Sequence, residues 1–363
     1  MKNLFLITFL ILVAGCSDGN NSYVPAGEDN TLPIAQATIE TPPDNNFFLQ
    51  ANAFDLADVG YEAEEYFISG TASSFLNTSE LGIDGRWDVE PADIADYKTR
   101  IVVHRPIDSS NYSGTAIVEW FNVTSGFDIP PSWGAGHVEI YRAGHIWVGV
   151  SAQYVGIEGG GGFPLYLKAV NPERYGDLVH PGDSFSYDMF SQVAEQLRSP
   201  EGIDPLNGMR PGHMMAMGES QSAFYLTTYV NAIQPLYDPF DGYIIHSRGG
   251  GAAEISESPQ AEIPIPGPAQ TRDDTAVPVL TFQTETDIFR LGYIAARQDD
   301  SENFRLWEVA GTAHADLYTI VTGRNDATGE PQYAAVYEQS ELAGFVSCEL
   351  PFNAGPMHYV FDR

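Results

Sequence analysis

Cysteine is almost absent from this 363-residue sequence, which holds only Cys16 and Cys348. A disulfide framework and a cysteine-rich metal site are therefore excluded. Positive charge is also scarce: 17 Lys and Arg stand against 49 Asp and Glu, for a net charge of −32. Such a surface repels phosphate backbones, so nucleic acid is not an expected partner. Its simplest consequence is solubility. The apolar run Leu4 to Val13, broken only by Thr8, is too short for a spanning helix. No Gly-Lys-Ser/Thr follows Gly159-Gly160-Gly161-Gly162, so that run is not a phosphate loop. His104, His137, His145, His180, His213 and His358 show no metal-ligand spacing. Neither metal nor cofactor is expected. Core-forming material is plentiful, at 43% hydrophobic and 12% aromatic. The length suits one large α/β domain or two ordinary ones.

The N-terminus carries an address. Met1-Lys2-Asn3 is a short positive start, Leu4 to Val13 is apolar, and Ala14-Gly15-Cys16 follows, so residues 1–15 read as a signal peptide. Leu12-Val13-Ala14-Gly15-Cys16 resembles a bacterial lipobox. That resemblance implies cleavage before Cys16 and lipid on its thiol and new amino group. The lipid would tether the protein to a membrane without a spanning helix. Ser17 after the Cys resembles lipoproteins sorted to the outer membrane, facing periplasm or exterior. Residues 16–46, rich in Asn, Gly, Pro, Asp and Thr, read as a flexible tether, and 47–363 as the folded domain. Cys348 is expected as a buried free thiol.

From Tyr61 onward strand and helix patterns alternate. Strands are expected at Tyr61–Thr71, Thr99–Val103, Thr115–Phe121, His145–Val150, His213–Met217, Asp241–Ile245, Val277–Phe282 and Phe304–Val309. Helices are expected at Trp133–Ala143, Phe185–Leu197, Gln221–Ile233 (ended by Pro235) and Tyr333–Phe345. This order predicts an α/β fold with a mostly parallel sheet covered on both faces. Gln153–Asp183 and Ser247–Ala276, rich in Gly and Pro, interrupt it. Both follow strands, so both should be lid-like loops at the carboxyl edge, where such sheets bind ligands. Phe163, Tyr166 and Tyr175 would then line a pocket.

The chemistry centres on Met215-Ala216-Met217-Gly218-Glu219-Ser220-Gln221-Ser222-Ala223. An apolar strand meets a small residue, then Ser220, then another small residue at a helix start. That is the setting of a nucleophile elbow, whose tight turn admits only small neighbours two residues either side of the nucleophile. The usual final Gly is Ser222 here. The turn aims the Gln221 N–H at any developing oxyanion. A serine nucleophile needs a base, and the base an orienting carboxylate. Asp287 follows one strand and His314 the next, in the order Ser, acid, His. Glu285 is the rival acid. Asp287 could instead serve only as a helix cap. A second oxyanion donor is expected near Asn122 and Val123, although no His-Gly-Gly-Gly run is present. His246 and Arg248, just past a strand, are candidates for substrate binding, Arg248 gripping a carboxylate or forming a structural ion pair.

Together with Glu65–Ala72, Val118–Val123, His246–Gly250 and Thr284–Asp287, this elbow resembles the α/β-hydrolase superfamily, and within it the poorly characterised α/β-hydrolase domain-containing proteins. The resemblance covers most of the chain from Tyr61. It implies a metal-free Ser–His–acid hydrolase with Ser220 as nucleophile, His314 as general base and Asp287 as its orienter. A carboxylic-ester hydrolase acting on a small-molecule or carbohydrate-linked ester is the leading expectation. Peptidase, thioesterase and non-catalytic ligand-binding lipoprotein are the competing readings.

Overall fold

A computed structural model describes residues 31–334, 340–342, 346–355 and 357–363. Cys16 and residues 1–15 lie outside the described residues. Nine strands form the main sheet in the order β1-β2-β3-β5-β4-β6-β7-β8-β9. They are β1 (Thr38–Glu40), β2 (Tyr61–Asn77), β3 (Val89–Pro106), β4 (Thr115–Trp120), β5 (Ile146–Val150), β6 (His213–Glu219), β7 (Gly242–His246), β8 (Val279–Thr284) and β9 (Phe304–Val309). From β5 to β9 neighbours pair in parallel, whereas β1, β2, β3 and β5 pair antiparallel. The mostly parallel α/β sheet expected from the sequence is present.

Each element follows from its residues. Ile146-Trp147-Val148-Gly149-Val150 is buried throughout, as a central parallel strand covered on both faces must be. The edge strand β9 keeps Phe304 buried and leaves Arg305, Trp307 and Glu308 exposed. Helix α1 (Pro131–Ala143) opens on a proline, which has no N–H to leave unsatisfied, and ends at Gly144 with φ +76°. Helix α2 (Ser186–Arg198) buries Phe190, Val193 and Leu197 along one stripe. Helix α3 begins at Gln221 and runs to Thr228, continuing through a π turn at Tyr229–Ile233. Pro235 does not end it: the proline sits in the first turn of Gln234–Tyr237, where its missing donor is harmless. Trp133 and Ile140 of α1 pack on one sheet face, and Phe190, Val193, Leu226 and Tyr229 on the other. Full burial of each such side chain contributes about 1.5–3 kcal/mol.

Four expectations need correction. Thr38–Glu40, inside the expected tether, pairs with Phe67–Ser69 of β2 and buries Ile39. Alternation of one apolar residue between polar ones is enough once a partner edge exists. Strands β2 and β3 extend well beyond the expected segments as one long hairpin. Among the described residues of the expected closing helix Tyr333–Phe345, only Tyr333 and Ala334 are helical, as the end of a short helix Pro331–Ala334. Glu341–Leu342 then pairs with Val346–Ser347 as β10 and β11, while residues 335–339 and 343–345 lie outside the described residues. Cys348 follows this ladder, which is separate from the main sheet, and is exposed rather than buried. No helix among the described residues is long and apolar enough to cross a membrane.

Candidate active site

Strands β4, β6, β8 and β9 run parallel, so their carboxyl ends share one edge. Glu219 ends β6, and Ser220 adopts φ +56°, ψ −115° before α3 begins. This backbone is costly for a residue with a Cβ, about 1–3 kcal/mol, and needs support. Ser220 N–H donates to His246 O at 2.9 Å. Ser222 Oγ accepts from Glu219 N–H at 3.0 Å and donates to Glu219 O at 2.8 Å. The serine that replaces the usual glycine thus ties the turn with its hydroxyl. Gly218 has no such latitude: a Cβ there would lie 3.1 Å from both Leu226 Cδ1 and Ser222 Oγ.

The structure brings Ser220, His314 and Asp287 together. Ser220 Oγ lies 2.8 Å from His314 Nε2, and His314 Nδ1 lies 2.7 Å from Asp287 Oδ1. His314 N–H donates to Thr286 Oγ1 at 2.7 Å, which holds its loop beside the start of helix α4 (Glu285–Phe289). Asp287 Oδ2 accepts from the backbone N–H and hydroxyl of Thr284, each at 2.7 Å. One carboxylate therefore caps α4 and orients the histidine. Burial pushes Asp287 up, but the hydrogen bond and charge of His314 outweigh it and leave it below the usual carboxylate range. Glu285 is exposed, accepts from Gly311 N–H at 2.7 Å and has no bond to the imidazole.

A second carboxylate also faces the histidine. Glu219 Oε1 is 3.6 Å from His314 Nε2. Burial raises Glu219 to about 7, against the pull of the His314 charge. Burial lowers His314, but its hydrogen bond to Asp287 and the charges of Glu219 and Asp287 raise it overall. Sequence reasoning passed over Glu219, because the elbow pattern leaves that position open.

The expected oxyanion loop is partly committed elsewhere. Asn122 N–H donates to Ile129 O at 2.9 Å, and Asn122 Nδ2 donates to Glu219 O at 3.0 Å. Asn122 is therefore corrected from backbone donor to brace. Val123 N–H donates to Gln221 Oε1 at 3.3 Å, so that expected donor is engaged by a side chain of the elbow. Gln221 N–H belongs to the first turn of α3, where no intrahelical acceptor exists.

A cavity of about 660 Å³ opens over Ser220 and His314. Its walls include Asn122, Phe127, Ile129, Phe163, Ile320 and Arg324. The lid expectation holds only in part. Phe163 and Leu165 from Gln153–Asp183 line the cavity, but Tyr175 is buried with its hydroxyl on Glu65, and Ser247–Ala276 contributes nothing to the wall. Residues 315–324 supply that side instead.

Arg248 and His246 are corrected as substrate-binding residues. Arg248 is buried, donates to Thr227 Oγ1 at 3.0 Å and Gly249 O at 3.1 Å, and lies over the Tyr293 ring. It has no carboxylate partner among the described residues, and burial lowers it to about 10. Its work is to join α3 to the following loop. His246 stacks on Phe361 at 4.5 Å, and burial holds it neutral at about 3. No group of three or more His, Cys, Asp or Glu among the described residues is placed to hold a metal.

A hydrolase-type fold with a serine on a tight turn has known counterparts. The chain belongs to the α/β hydrolase domain family, whose model matches residues 26–363. Among solved structures it is similar to XC6422 from Xanthomonas campestris, an α/β serine hydrolase without lid, at 14% identity and TM-score 0.36 over 67% of this chain and 86% of that one. It is also similar to the glucuronoyl esterase from Solibacter usitatus, at 12% identity and TM-score 0.35 over 75% and 82%. No curated protein matches the chain.

Proposed function

We propose that this protein is a serine hydrolase of carboxylic esters, in which Ser220, His314 and Asp287 act as nucleophile, base and orienter. The observation that carries the reading is the continuous hydrogen-bonded chain Ser220 Oγ–His314 Nε2–His314 Nδ1–Asp287 Oδ1 at the floor of the cavity. As Ser220 Oγ bonds to the ester carbonyl carbon, its proton passes to His314 Nε2. Charge then builds on the carbonyl oxygen. Gln221 N–H stabilises it, joined by Val123 N–H once the Gln221 side chain yields that donor. Collapse breaks the bond to the leaving alcohol, which takes the proton from His314. Water repeats the cycle on the acyl-enzyme and releases the acid. Only the neutral imidazole can act as base, so activity rises as pH passes the raised His314 value.

The test is turnover of a panel of p-nitrophenyl esters, thioesters and peptides, with the acyl-enzyme trapped by rapid acid quench. Ester hydrolysis with acyl mass on Ser220 supports the reading; peptide cleavage without ester hydrolysis overturns it. The same reading has the enzyme lipid-anchored at Cys16 on the cell envelope, supported by the Leu12–Cys16 pattern. Incorporation of labelled fatty acid that survives Cys16→Ser would refute the anchor.

A further inference from the structure

The cavity contains a cation that the proposed ester chemistry leaves unused. Arg324 lies in its wall together with Ser220 and His314. Its Nε is buried without a hydrogen-bond partner, and the guanidinium has no carboxylate partner among the described residues. Many other guanidinium groups are matched: Arg100, Arg105, Arg174, Arg272 and Arg297 each pair with Asp or Glu, and buried Arg248 donates to Thr227 and to backbone carbonyls instead. Leaving a buried charged donor unsatisfied is costly unless something else occupies it.

Local structure explains why no neighbour does. Asp326, two residues on, is engaged elsewhere: Oδ1 accepts from the N–H groups of Thr328, Gly329 and Glu330, and Oδ2 from the Tyr318 hydroxyl. The charges acting on Glu219, the other ionisable wall residue beside Ser220 and His314, are those of His314 and Asp287. The base of the arginine is pinned. Arg324 O accepts from Ala53 N–H at 2.7 Å, and a Cβ on Gly323 would lie 3.1 Å from Gly134 O. The cavity that holds Arg324 and the serine is lined largely by apolar side chains, among them Phe127, Ile129, Leu165 and Ile320, with Thr124, Ser125 and Thr319 beside them.

We propose that Arg324 is a specificity-determining residue that binds a free carboxylate on the substrate, so that the preferred esters are acidic ones with an apolar spacer between the carboxylate and the scissile carbonyl. This rests on the hydrolase reading above. A lone guanidinium fork matches one planar monoanion in charge and geometry, whereas a phosphate dianion calls for more than one cation. Desolvation in an apolar cavity strengthens the pair.

The test compares each mono-p-nitrophenyl half-ester from glutarate to suberate with the neutral p-nitrophenyl ester of equal acyl length. Wild type should show kcat/KM at least tenfold higher for one or more half-esters. Arg324→Gln should lower that value at least 30-fold and change the neutral ester less than threefold, while Arg324→Lys retains part of the preference. No preference in wild type overturns the inference without recourse to a variant, as does an equal loss on both substrate types in Arg324→Gln. If no ester is turned over, the hydrolase reading fails separately, and calorimetric titration with free glutarate and suberate decides. Binding lost in Arg324→Gln upholds the carboxylate site, and no binding to wild type overturns it.

Discussion

Two buried charge clusters lie in this molecule and are built on opposite terms. In the first, Arg100 pairs with Glu65 at 3.0 Å and Asp128 at 2.9 Å, and Arg174 adds a second cation to Glu65 at 2.7 Å. Every carboxylate there faces a guanidinium that never loses its proton near neutral pH. In the second, two carboxylates, Asp287 and Glu219, face one imidazole. The first cluster is matched, and joins β2, β3 and the loop carrying Asp128. The second is short of positive charge until His314 takes up a proton, which is what a general base requires. Matched burial serves architecture; under the proposed function, mismatched burial serves proton transfer.

Breaking the second cluster should give the largest effects. Ser220→Ala or His314→Ala should lower kcat by about 10⁴-fold or more, and Asp287→Ala by about 10³–10⁴, with melting temperature little changed. Steady-state rates on the best p-nitrophenyl ester check this. Breaking the first should do the reverse. Arg100→Met leaves Asp128 buried without a cation and Glu65 with Arg174 alone, so urea unfolding should show a loss of about 3–5 kcal/mol. The pH dependence of the surviving enzyme should be unmoved.

A subtler change sharpens the contrast. Glu219 favours the imidazolium, so Glu219→Gln should lower the His314 pKa. The acid limb of the kcat/KM profile, which in wild type inflects above 6.5, should then move to lower pH. An inflection that stays put would show that Glu219 does not act on the base. Smallest of all, Glu285→Ala removes only an exposed contact to Gly311 and should change kcat/KM by about twofold or less.

The sequence exposed those parts of this arrangement that rest on local constraint. A tight turn tolerates few residues, so Gly218, Ser220 and Ser222 stood out, and strand ends fixed the order of Asp287 and His314. What depends on distant partners did not. Ile39 reads as tether until β2 offers it an edge. Arg248 and Arg324 are both arginines beside Gly, and nothing local tells that one enters the interior while the other faces the cavity. Glu219 hides in a position that the elbow pattern leaves open, because its importance comes from His314, 95 residues later in the chain.

The central claim is that Ser220 is activated by His314. A fluorophosphonate probe on the purified domain lacking its first sixteen residues, read by mass spectrometry, measures that directly. The account predicts labelling at Ser220 in wild type that collapses in His314→Ala. Folded wild type that stays unlabelled, or labelling that persists in His314→Ala, would contradict it.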